Sequence, residues 1–143
     1  RKTIMKEFGR NLLALVIGLM IGSAVNMGVI MIGGKLIPPP DGVDVTNMES
    51  LADSMHLFKP VNFITPFLAH ALGTLVGAFV ASKIAIAHNM KISLLVGVFF
   101  LVGGVYTAQQ LPTPDWFNGL DLLLAYIPMA WLGGKWAEGS LRA

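Results

Sequence analysis

The chain has 143 residues, 55% of them hydrophobic and 13% charged; soluble domains are about half apolar and a quarter charged, so this balance belongs in lipid. The net charge is only +2, with the bases in short clusters between apolar runs, which excludes the basic face of a nucleic-acid binder. With no cysteine, disulfides, thiolate metal sites and cysteine nucleophiles are excluded too.

A first residue of Arg rather than Met suggests trimming. The first apolar run is too long and too glycine-rich for a signal peptide, whose apolar region is roughly 7 to 15 residues, and is expected to stay in the mature protein. That run, Leu12 to Ile32, has no charge, and at about 1.5 Å per residue it crosses the roughly 30 Å hydrocarbon core. The first span is placed at about 12–34.

A long connection, 35–62, opens with the stiff turn Pro38-Pro39-Pro40-Asp41-Gly42. Thr46 with Glu49 three residues on has the form of a capping box, and Met48, Leu51, Ala52, Met55 and Phe58 recur at helical spacing. They predict a short amphipathic helix, flat on the outer membrane surface or over the bundle mouth, with Asp53 and Ser54 toward water.

The second span covers about 63–87, interrupted only by His70 and by Lys83, which is near enough to the inner end to snorkel. The third, about 92–111, is free of charge and stops at Pro112. The fourth is the weak one, because its charge-free core, Leu122 to Gly134, is too short to span unless Asp121 enters the membrane. Trp116 and Trp136 bracket a segment of spanning length, as interfacial aromatics do, which places the span at about 117–136. Pro128 removes a backbone donor in its middle and predicts a kink with a freed carbonyl near Leu124.

Arg1, Lys2, Lys6 and Arg10 precede the first span, Lys83 and Lys91 flank the second turn, and Lys135 and Arg142 close the chain. These basic segments are assigned to the cytoplasm. The other two connections are acid-rich, with Asp41, Asp44, Glu49 and Asp53 against Lys35 and Lys59, and with Asp115 alone. The expected fold is therefore an all-α integral membrane protein, a single domain (1–143) of four transmembrane helices in an up-down bundle with an outer amphipathic helix. It is expected to be multi-pass in the cell (inner) membrane with both termini cytoplasmic.

Small residues form the clearest constellation. Ala69, Gly73, Gly77, Ala81 and Ala85 recur every fourth position in the second span, Gly18 and Gly22 repeat the spacing in the first, and Ala130 and Gly134 in the fourth. Such stripes let helix backbones approach closely in lipid. Spacing does not say whether the seam joins helices of one chain or of two copies.

Polar residues within the spans are expensive and tend to face the bundle interior. His70 shares the face of Gly73 and Gly77, and Asn26 that of Gly18 and Gly22. Counted inward from the outer interface, His70, Tyr106 and Asp121 lie roughly 7 to 10 Å deep and Asn26 about 15 Å. They are expected to meet in one cluster in the outer half of the bundle, with Gln109 and Gln110 at its rim. A His70–Asp121 pair is a proton-handling site, since an imidazole changes charge near neutral pH. The plain alternatives are hydrogen-bonded glue between helices, at about 1 kcal/mol each, and for Asp121 a carboxylate at a helix N-terminus.

Met48, Met55 and His56 hint at a soft metal, but the two methionines fit the apolar face of the loop helix, so no metal is assigned. No H-E-x-x-H, P-loop, G-x-S-x-G or dinucleotide fingerprint occurs, and Gly103-Gly104 and Gly133-Gly134 read as packing glycines. No cofactor is expected. The readings that follow are, in order, a non-enzymatic structural or interaction subunit bound through its seam to other transmembrane helices, its own or a partner's; a small transporter or proton-coupled carrier using His70, Asp121 and Asn26; and, third, a membrane-embedded enzyme. Membrane lipid is a partner in each and nucleic acid in none. Cysteine-labelling is expected to place the tri-proline segment and the Lys91 turn on opposite membrane faces; labelling on one face overturns the topology.

Overall fold

A computed structural model describes all residues from Arg1 to Ala143. It is all-helical: α1 (Lys2–Leu36), α2 (Met48–Ser54), α3 (Ile64–Ile84), α4 (Asn89–Gln110), α5 (Asp115–Leu124) and α6 (Ile127–Arg142), with 3-10 turns at Met55–Leu57 and Pro60–Phe63. Three helical runs are long and apolar enough to cross a membrane: α1, Pro60–Ile84 and α4. The 35 residues of α1 make a rod about 52 Å long. It outruns its apolar stretch because the Lys, Glu and Arg of residues 2–10 are good helix formers whose charges stay in water.

Side-chain bonds gather the connections at two ends. At the basic end, Arg10 Nε donates to the Ile84 carbonyl (3.0 Å), Asn11 Nδ2 to the Ala87 carbonyl (2.9 Å) and Lys83 Nζ to Ser140 Oγ (2.8 Å). The start of α1, the α3–α4 turn and the end of α6 therefore lie together. At the capped end, Met55, Phe63 and Phe117 form a buried cluster flanked by Leu111, which joins the long connection to the α4–α5 turn. Within that connection Asn62 Nδ2 donates to the Pro38 carbonyl (3.1 Å), and Gly42, at φ +80, closes a turn in which the Val43 amide donates to the Pro40 carbonyl.

The loop helix exists, but its cap differs from the expected one. Asn47 is the N-cap, its Oδ1 accepting from the Ser50 amide at 3.0 Å. Thr46 instead donates through Oγ1 (2.6 Å) and its amide (2.9 Å) to Asp44 Oδ1, because a short Asp side chain captures the backbone two residues on. Those bonds, the hydroxyl first, hold the exposed Asp44 carboxyl below its ordinary value. They favour the ionised form, so the turn is tightest above the ordinary carboxylate range and loosens as pH falls below it.

The helix α3 is central, with α1, α4 and α6 packed on it. Gly73, Gly77 and Ala81 of the five-member stripe face α1. A Cβ on Gly77 would lie 2.6 Å from the Gly18 carbonyl oxygen, one on Gly18 2.7 Å from the Gly77 oxygen, and one on Gly22 2.7 Å from the Gly73 oxygen. Ala130 meets Gly97 of α4, and Gly134 meets Ser93 and Met90. The seam whose ownership the spacing left open thus joins helices of one chain.

The fourth segment departs most from expectation. In place of one helix over 117–136 there are two, separated at Ala125 and Tyr126, and neither matches the length of the three spanning runs. Pro128 sits in the first turn of α6; its ring excludes the carbonyl four residues back, so the helix stops rather than bends. Trp116 and Trp136 remain exposed at the two extremities.

Because the α1–α3 contact is backbone on backbone, Gly77→Leu is expected to destabilise the monomer itself by about 3 kcal/mol. Gly28→Leu, where a Cβ meets nothing within 4 Å, is expected to stay within about 0.5 kcal/mol of the parent. Unfolding in detergent distinguishes the two; equal stability refutes the intramolecular seam.

Candidate functional site

His70 lies nearly two turns into α3, Asp121 on the last full turn of α5, and Tyr126 at the break before α6. His70 Nδ1 lies 2.9 Å and 3.0 Å from the two Asp121 oxygens, and the Tyr126 hydroxyl donates to Asp121 Oδ2 at 3.2 Å. The imidazole and phenol rings stack at 5.7 Å. Asp121 is 5% exposed and Tyr126 3%.

Tyr126 reaches Asp121 only because the helix breaks. Five residues apart on a continuous helix, the two would point about 140° away from one another. The interruption at Ala125–Tyr126 folds the phenol back over the carboxylate. A buried carboxylate needs such company, since an unpaired charge in a low-dielectric interior is far too costly to keep. Both of its oxygens are occupied, whereas His70 Nε2 makes no hydrogen bond within the chain.

Two cavities adjoin this pair. The larger, about 370 Å³, lies under α2 at the capped end; its walls include Met48, Leu51, Met55, Phe63 and Phe117, and His70 and Asp121 line it too. Aromatic contacts brace those walls, with the Phe63 ring 4.7 Å from Phe117 and 5.5 Å from Trp116. The smaller, about 220 Å³, opens between α1, α3 and α4, and among its lining residues are Ser23, Asn26, Thr74 and Thr107. His70, Gly104 and Thr107 belong to both.

The smaller cavity holds unmatched polar groups. Thr74 is 1% exposed and its Oγ1 has no partner, a condition that disfavours a fold by about 1 to 3 kcal/mol. The side chains of Asn26, Ser23 and Thr107 likewise have no partner within the chain, although other asparagines and serines do.

Of the residues expected to meet, His70 and Asp121 pair directly and Asn26 shares a cavity with His70. Tyr106 is 59% exposed, and Gln109 and Gln110 are exposed and line neither cavity. Tyr106 lies on a face of α4 turned away from the cluster it was expected to join. Four contributors went unnoticed. Thr74, four residues after His70, and Ser23, three before Asn26, carry a legible signal; Thr107 and Tyr126 carry none, since each depends on how separate helices are placed. No three His, Cys, Asp or Glu side chains stand close enough to hold a metal ion. No protein-family model, curated protein or solved structure matches the chain.

His70→Ala leaves Asp121 buried with the phenol alone and is expected to destabilise the protein by about 3 kcal/mol. Tyr126→Phe removes one of several bonds and should lower stability by about 1 kcal/mol. Denaturant titration in detergent checks the order; a His70→Ala protein as stable as Tyr126→Phe refutes the charge pair.

Proposed function

We propose that this chain is a small, non-enzymatic, proton-coupled carrier. In this reading it crosses the cell (inner) membrane four times with both termini cytoplasmic, and the capped end faces outward. The broken α5–α6 segment supplies the fourth crossing. A break of this kind is tolerated at membrane depth where it borders a cavity, as at Tyr126.

One observation carries the reading: an isolated imidazole–carboxylate pair, 2.9 Å apart, on the wall shared by two cavities. Asp121 and Tyr126 are the titratable groups around His70. With one shared proton the pair is neutral overall; releasing that proton leaves a lone carboxylate charge. In an apolar surrounding the second state is favoured only when other dipoles support it. Water or a polar solute in the adjoining cavity supplies them, so the contents of the cavity and protonation are linked. Four short spans are few for alternating access, so the working unit is proposed to be an oligomer.

A second reading, the structural or interaction subunit, is favoured by a different observation. The helices α1 and α4 both pack on α3 but touch one another little, which leaves a lateral opening that a helix of another chain fits. The small-residue seam no longer supports it, being closed within the chain.

The test is proton movement. Vesicles reconstituted with the full chain and a trapped pH-sensitive dye are expected to acidify under an inward proton gradient, and His70→Ala and Asp121→Asn to fall to the rate of protein-free vesicles. A parent no faster than empty vesicles, or variants that match the parent, removes the carrier reading.

A further inference from the structure

The interhelical cavity has a composition unlike anything else in the chain. It takes Ser23 and Asn26 from α1, His70 and Thr74 from α3, Thr107 from α4 and the Tyr126 ring from the α5–α6 break. No Lys, Arg, Asp or Glu lines it. Hydroxyls donate and accept, and the Asn26 amide does both. The site therefore has paired hydrogen-bonding capacity and no fixed charge.

Thr74 makes this more than a gap in packing. Its hydroxyl lines the cavity, is all but fully buried and has no partner in the protein. Buried hydroxyls are matched as a rule, by protein or by a bound molecule. His70 Nε2 is another unmatched group, left over once Nδ1 has engaged Asp121. A volume of about 220 Å³ is many times the roughly 10 to 15 Å³ that admits one water.

We infer that the cavity between α1, α3 and α4 is a binding site for a small, uncharged, hydroxyl- or amide-bearing solute, of the size of glycerol or urea. Thr74, Asn26 and Ser23 bind its donors and acceptors. His70 Nε2 meets it from the side of the proton-holding pair, and the larger cavity under α2 is its vestibule, reached past the shared residues Gly104 and Thr107. Ions are disfavoured because nothing in the lining neutralises them. The inference deepens the carrier reading and rests on it for transport.

Osmotic relaxation of vesicles containing the full chain, followed by light scattering with glycerol and urea as probes, tests it. Parent vesicles are expected to relax faster than protein-free vesicles for at least one probe. Thr74→Val keeps the shape without the hydroxyl and should slow the protein-dependent part about tenfold, the equivalent of one buried hydrogen bond. Thr74→Ser should stay within about twofold of the parent. Gly103 lines the same cavity and a Cβ there meets nothing within 4 Å, so Gly103→Leu is expected to fold and to slow relaxation toward the protein-free rate.

A parent no faster than empty vesicles overturns the inference. So does a Thr74→Val protein that matches the parent, because the cavity then holds only water, and so does a Thr74→Ser protein as slow as Thr74→Val, because the role is then structural. Proton flux separates the two proposals. Proton movement that needs His70, without solute relaxation, leaves the carrier and removes this ligand class; relaxation that needs Thr74, without proton movement, keeps the binding site and removes the proton coupling.

Discussion

Two helix backbones touch where Gly18 and Gly22 of α1 meet Gly73 and Gly77 of α3, and the placement of the α1 polar groups beside α3 follows from that contact. In lipid the helices gain little from hiding apolar surface, so association depends on dispersion and on close approach. Glycine permits it because a Cβ at any of the four positions would fall within 2.8 Å of a facing atom. The tight seam holds α1 along one side of α3 and brings Asn26 beside Gly73. α4 and α6 also pack on α3, and α1 and α4 meet over only a short stretch. The polar cavity lies where they diverge.

The second constraint is a proline. Pro128 ends the helical path between Asp121 and Gly133, and the break at Ala125 and Tyr126, outside both α5 and α6, reorients the phenol. Without that interruption Asp121 would keep His70 as its one side-chain partner. A break in the ladder is costly wherever lipid surrounds it, but Tyr126 is buried against α3 and α4 rather than exposed. The site is thus assembled from a residue on a continuous helix and two that flank a discontinuity.

Much of this was legible beforehand. His70 and Asp121 stood out because each is a lone ionisable residue in an otherwise apolar run, and lone ionisable groups in lipid seek one another. The stripe from Ala69 to Ala85 was legible for a related reason, since a ladder of small residues at a four-residue interval has few explanations in a membrane helix. Tyr106 misled because depth along a helix is readable from the residue count, whereas the face that turns inward depends on neighbours the count does not include. Thr46 misled because Asp44 competes for its hydroxyl, and two adjacent side chains, Thr46 and Asn47, each fit the N-cap chemistry.

Hydropathy and charge alone determined that the chain is helical and apolar, that its long runs are α1, α3 and α4, and where its connections fall. Those properties come from free energies summed residue by residue along one segment, and such sums need no knowledge of what packs beside it. Tertiary structure decided the rest: that the glycine seam closes within one chain, that the last segment is two helices, and that Tyr126, Thr74 and Thr107 stand around His70. Each of those depends on the distance between segments far apart in sequence, and a carboxylate, a hydroxyl or a glycine has the same local pattern whichever partner it meets.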